Sequence, residues 1–277
     1  MTKLDQLIIN ASTRRQLANY LTHPAQALML TGASGLGLYT IAEALAHQLA
    51  GGNTVLLRPS LHKAQKTAII NADDIAYVTS IIYDKRKESL VVVIDDIDQV
   101  APGVSERILK IVEEPVKNVY FIFTTHHPAT VPATIMSRSQ QIEVAAPETS
   151  DCVTLLADAP EASQSQIKFL AAAYPAQIYR LIHQPKLLAD VAVQAKLAKQ
   201  FITSNTGERL VLITNIKDRT AATEFCELVI KFLLFAQRNS DHSERLVRQL
   251  NLVNDVIAYL TASCNLKLAL TQLALNL

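Results

Sequence analysis

At 277 residues the chain suits two domains, or three small ones, at roughly 150 residues apiece, better than one compact fold. Hydrophobic residues make up 49% of it and charged residues 18%, a composition that builds cores and excludes a disordered chain. Lysine plus arginine number 26 against 25 aspartates and glutamates, a net charge of +1, which excludes a binder of nucleic acid or membrane that works through a uniformly basic surface.

Short β-branched runs alternate with helical patterns through the first half. Ala27–Thr31 enters a glycine loop and a helix over Ile41–Leu49, and is followed by strands at Asn53–Leu57, Leu90–Ile94, Val119–Thr124 and Gln141–Val144. Strands alternating with helices predict an α/β domain with a parallel sheet covered on both faces. The last strand stops before Ala146-Pro147-Glu148, where Ser150 is placed to cap a new helix, and a softer boundary lies at Gln184-Pro185. Beyond Pro185 there is no proline and only one glycine, Gly207, while Arg209–Lys217, Ala221–Arg238 and Glu244–Leu260 carry apolar residues at three- and four-residue spacing. These predict amphipathic helices packed on one another. The expected domains are therefore 1–146, 147–185 and 186–277, with no internal repeat.

No apolar run reaches the ~20 residues that span a bilayer; Leu228–Ala236 is interrupted by Lys231. The N-terminus, Met1 to Gln6, carries charge where an export signal has an apolar core. Cys152, Cys226 and Cys264 are odd in number and far apart, against a zinc site or disulfide framework. The expectation is a soluble cytoplasmic protein with no membrane partner.

The loop Gly32-Ala-Ser-Gly-Leu-Gly-Leu-Tyr-Thr40 lies between a strand and a helix N-terminus, an arrangement that offers backbone N–H groups and a positive dipole end to phosphate. Gly32 and Gly37, with Gly35 between them, match the spacing of the phosphate-binding pattern G-x-x-x-x-G-K-[ST]. Leu38 stands where a lysine would reach the β- and γ-phosphates, and Tyr39 where a small hydroxyl would ligate magnesium. The shape of a cradle is kept and both chemical groups are replaced, so a purely structural turn is the competing reading. The nicotinamide loop T-G-x-x-x-G-x-G is one residue longer than Thr31–Gly37. Tyr83 and Lys87 have the Y-x-x-x-K spacing of short-chain oxidoreductases, but lie in a charged stretch better read as a solvated turn. An NAD(P)-dependent oxidoreductase is accordingly a distant alternative.

Leu90-Val-Val-Val-Ile-Asp-Asp-Ile-Asp98 is a buried strand ending in carboxylates. In an ATPase the acid at Asp95 holds Mg²⁺ through water and a glutamate at the Asp96 position polarises the attacking water. Aspartate is roughly 1.5 Å shorter than glutamate, so the base is poorly placed. Asp98 is expected in a solvated turn or as a helix cap. His126 and His127 are adjacent at a strand end and face opposite ways, so no metal pair is expected.

Ile108-Leu-Lys-Ile-Val-Glu-Glu-Pro, the run Val119–Thr125, and Ile135-Met-Ser-Arg-Ser-Gln140 closely resemble the AAA+ clamp-loader subunits of bacterial DNA polymerase III, whose text reads L-L-K-x-L-E-E-P-P, F-I-L-T-T and I-x-S-R-C-Q. Ala68–Ile75 is similar to the I-x-I-D-x-I-R segment of the same subunits, and the resemblance covers roughly residues 1–185. It implies a RecA-like AAA+ α/β domain, a small helical lid and a C-terminal all-α collar through which five such subunits assemble. Leu38 and Tyr39 resemble the stator type, which keeps the ATPase fold without using ATP; a gamma/tau-like ATPase is the alternative. The sensor-1 asparagine position is His126, and the sensor-2 arginine position is Gln177. No cysteine lies between Gly51 and Leu90, where many relatives carry a zinc module. The resemblance thus implies no bound ATP, magnesium or zinc and no chemistry of the chain's own. It implies gamma/tau and delta clamp-loader subunits as partners and, indirectly, the sliding clamp and primed DNA. It also places Arg138, in Ser137-Arg138-Ser139, as an arginine finger reaching the γ-phosphate of a neighbouring subunit.

Overall fold

The computed structural model describes residues 3–61, 68–83, 88–101, 103–114, 116–237, 243–262 and 264–277. They form two compact units, Met1–Arg180 and Leu181–Leu277.

The first unit is built on five strands: β1 (Ala27–Thr31), β2 (Thr54–Leu57), β3 (Leu90–Ile94), β4 (Val119–Thr125) and β5 (Gln140–Glu143). All pair in parallel, in the order β2-β3-β4-β1-β5. The alternation of side chains along a strand divides the sheet's residues between two cores. Leu28, Leu30, Val91, Val93 and Ile122 bury against α1 (Ala11–Thr22) and α2 (Leu38–Ala50). Ala27, Met29, Leu90, Val92, Ile94, Phe121 and Phe123 bury on the opposite face, in the core shared by α3 (Ala72–Ile82), α4 (Ser105–Glu113) and α5 (Ala133–Arg138). The parallel sheet covered on both faces is thus the one its alternating elements predict. The strands match expectation within a residue at either end. Helix α2 starts three residues before Ile41, because Gly37, left-handed at φ 85°, turns the chain directly into it.

Three short helices complete this unit's chain: α6 (Val153–Leu156), α7 (Glu161–Ala171) and α8 (Pro175–His183), the division between units falling within α8. Ser150 does not cap α6 with its side chain. Cys152 is the N-cap residue, and Ser150 contributes its carbonyl to a turn with Val153 N–H at 3.3 Å. Residues 84–87, including the lysine of the Tyr83 pattern, lie outside the described residues.

The second unit is helical: α9 (Pro185–Thr203), α10 (Thr206–Ile213), α11 (Arg219–Gln237), α12 (Ser243–Thr261) and α13 (Leu266–Asn276). Helix α11 packs on α9 and α12, and α13 on α10 and α12. Phe201 and Phe225, both fully buried, meet edge to face at 5.2 Å between ring centroids. Helix α10 begins ahead of the expected Arg209 because Asn205 and Glu208 form a capping box. It ends at Ile213 rather than continuing to Lys217.

Candidate functional site at the carboxyl ends of the strands

Strand register brings the chemical residues together. Thr31 pairs with Thr125 and Glu143, Ile94 with Phe123, and Leu57 with Ile94. The loop after β1, the acids after β3 and the end of β4 therefore meet at one edge, where ligands of open parallel sheets bind.

Gly32, Gly35 and Gly37 lack side chains for two different reasons. Gly35 and Gly37 are left-handed, at φ 93° and 85°. A Cβ on Gly32 would stand 2.9 Å from the Val144 carbonyl oxygen, 3.2 Å from Leu36 Cδ1 and 3.3 Å from Leu38 Cδ2. Leu38 is only 1% exposed. The leucine at the lysine position thus folds back against Gly32 as part of the core with Leu36, Ile41 and Leu45. From the other side, the first turn of α8 closes on the loop, as Ala176 N–H and Gln177 N–H donate to the Gly35 carbonyl at 3.0 and 3.2 Å. Those free helix N-terminal donors, which elsewhere serve anions, are spent on the protein's own backbone. Gly32→Ala is expected to destabilise the first unit by about 1–3 kcal/mol, measured by denaturant unfolding, because the carbonyl it meets belongs to a fixed backbone.

Tyr39, one residue on, lies under the guanidinium of Arg58, whose Cζ is 4.1 Å from the ring centroid. Arg58 Nε donates to Asp95 Oδ2 at 3.2 Å, and the hydroxyl of Thr124 donates to Asp95 Oδ1 at 2.7 Å. Asp95 is buried, and both its oxygens are engaged by protein groups. Asp96 adopts left-handed geometry at φ 45°, strained for a residue with a side chain. Burial raises its carboxyl above the usual range; the charges of Asp95 and Asp98 add to this, and those of His126 and Arg58 oppose it. Asp98 is neither a helix cap nor simply solvated, since it accepts from the Thr125 hydroxyl at 2.6 Å.

His126, at the sensor-1 position, donates from Nδ1 to the Gly32 carbonyl at 2.8 Å, and its Nε2 lies 3.7 Å from Asp96 Oδ1. A carbonyl can only accept, so Nδ1 carries a proton. Gln177, at the sensor-2 position, stands over the loop, with its Cβ 3.0 Å from where a Cβ on Gly35 would be. His126 therefore lies between the glycine loop and the acids, and Gln177 against the loop. Among the described residues no group of His, Cys, Asp and Glu is arranged to hold a metal ion. Arg138 stands apart at the C-terminal end of α5, its guanidinium 2.7 Å from Glu113 Oε1, with Nη1 donating to the Thr134 carbonyl at 3.1 Å.

In the sequence Thr124 and Thr125 stand only as the end of a strand, and Arg58 as an ordinary cation. The two threonines did carry a signal, a polar pair closing an otherwise apolar strand; both are completely buried and hydrogen-bonded to the acids. Arg58 carried none.

Residues 55–148 match the family model described as DNA polymerase III, delta subunit. No curated protein matches the chain. Among solved structures, a DNA polymerase III gamma-subunit-related protein of Thermotoga maritima is similar at a TM-score of 0.56 and 14% identity, covering 94% of this chain and 97% of that one. The RuvB Holliday junction branch migration motor of Thermotoga maritima is similar at a TM-score of 0.56 and 15% identity, covering 78% and 84%. At such identities these structures establish the fold, RecA-like AAA+. Among the described residues no helix is long and apolar enough to cross a membrane. The match over residues 55–148, which contains the acidic strand end, the Glu113-Glu114 segment and Arg138, and the AAA+ fold that carries it support a clamp-loader-like subunit.

Proposed function

We propose that the chain is a delta-prime-type stator of a DNA polymerase III clamp loader. In this role it neither binds nor hydrolyses ATP, and it closes one end of a ring of gamma/tau and delta subunits that loads the sliding clamp onto primed DNA. The observation that carries this reading is the filled loop: Leu38 lies within the core against Gly32 instead of reaching for a phosphate. ATP with magnesium suits these residues poorly. Position 38 supplies no ammonium, Tyr39 supplies a ring in place of a small hydroxyl, and Asp95 is already paired with a cation. The loop carbonyl of Gly35 is also capped by α8. Zinc is not expected either.

Titration calorimetry tests this directly. The isolated chain is expected to bind neither Mg-ATP nor NADP at micromolar concentrations. Clear magnesium-dependent ATP binding would move the assignment to a gamma/tau-like ATPase, and NADP binding would revive the oxidoreductase. A pull-down with gamma, delta and clamp subunits separates a stator from an AAA+ adaptor that shares only the fold.

A further inference from the structure

Arg58 follows β2 and Asp95 follows β3, and since Leu57 lies opposite Ile94 the two residues leave the sheet side by side. Asp95, Asp96 and Asp98 concentrate three carboxylates at this strand end, with the Asp95 side chain only 8% exposed. Charge taken so far out of water needs a partner of opposite sign. Among the described residues the cationic groups facing it are Arg58 from the end of β2 and His126 from the end of β4; of these Arg58 reaches Asp95, whose other oxygen accepts from the Thr124 hydroxyl. Two independent contacts fix its guanidinium, the 3.2 Å bond to Asp95 and the face of the Tyr39 ring. Tyr39 occupies the very position at which the phosphate-loop pattern has its magnesium-ligating hydroxyl.

We propose that Arg58 is a built-in counter-cation, seated on Tyr39, that takes the place of a divalent ion at this acidic strand end and makes the chain independent of metal. Tyr39 is then the seat that a planar, weakly hydrated guanidinium needs and a hydrated magnesium ion cannot use. The inference rests on the chain's own geometry and not on its place in a complex, so its failure would leave the proposed stator role standing.

The test is thermal unfolding of the full chain with and without millimolar Mn²⁺ at constant ionic strength, with Mn²⁺ binding read separately by paramagnetic resonance. The wild-type midpoint is expected to ignore Mn²⁺. Arg58→Met keeps the aliphatic stem and removes the charge; its midpoint is expected to fall by about 3 °C and to be regained when Mn²⁺ binds. Arg58→Met combined with Asp95→Asn removes both charges, and is expected to recover without metal and to bind none. If Arg58→Met does not fold, refolding it with and without Mn²⁺ gives the same decision. An Arg58→Met chain that shows no Mn²⁺ response, or a wild type that responds as strongly as the variant, overturns the proposal.

Discussion

Arg138→Ala is expected to leave the chain folded and its complex assembled, while slowing ATP hydrolysis at one neighbouring site by roughly 10³-fold or more, the lower range for arginine fingers in phosphoryl transfer. The fold should survive because the side chain is on the surface. Arg138 is 42% exposed and its partner Glu113 39% exposed, and such pairs contribute only ~0–1 kcal/mol. The catalytic loss should be large because a guanidinium is permanently charged and its planar fork pairs with phosphate oxygens as charge gathers on them in the transition state. Helix α5 carries it in its last turn, where it touches Glu113 and the Thr134 carbonyl. Arg138→Lys keeps the charge but loses the fork, so it should rescue only part of the rate. Single-turnover ATP hydrolysis by the reconstituted complex, stimulated by DNA and clamp, measures the effect. Rates equal to wild type would make Arg138 a structural residue anchoring the end of α5 to α4.

A chain ending at His183 is expected to keep its sheet unit folded and to be lost from the complex entirely. The cut preserves α8, whose Ala176 and Gln177 N–H groups cap the glycine loop. It removes a unit with its own interior, built on Phe201, Phe225, Val229, Val253, Val256 and Leu273. That unit also carries more apolar surface than its interior uses: Val193, Val211, Phe235 and Leu268 are 66%, 67%, 55% and 72% exposed. The expectation is that some of these side chains gather into apolar patches, which mark surfaces that other chains cover. Size-exclusion chromatography with gamma and delta subunits measures the outcome. Co-elution of the shortened chain with the complex would place assembly in the sheet unit instead.

Much of the site was legible because its signals are local. A glycine that must turn left-handed, a strand buried on both faces and an acid following a buried strand are each set by a few neighbouring residues, and Gly35, Gly37, Leu90–Ile94 and Asp95 all stand where the pattern put them. Leu38 could be recognised as a substitution, though not as a core residue, because its burial depends on Gly32 and Leu36 closing around it. Helix ends were less legible. Ser150 has a good capping residue's chemistry, yet Cys152 occupies the cap, since the turn from Ser150 to Val153 forms through backbone groups. The start of α10 depended on a reciprocal pair, Asn205 with Glu208, whose joint effect exceeds either residue's own preference.

The sequence by itself determined the alternating strands and helices, the glycine loop without its lysine, the acidic strand end and the arginine before β5, because each is written in residues close together along the chain. Only the tertiary structure decided what neutralises the acids and what fills the loop. Arg58 is 37 positions from Asp95 and His126 is 94 from Gly32; in the sequence Arg58 differs from no other cation, and His126 is marked by its position after the strand but not by its partner Gly32. The strand order, with β2 beside β3 and β1 between β4 and β5, turns those distant residues into neighbours. Contact across parallel strands depends on which strands pair and in what register, which is fixed by burial of the whole sheet rather than by any local run of residues.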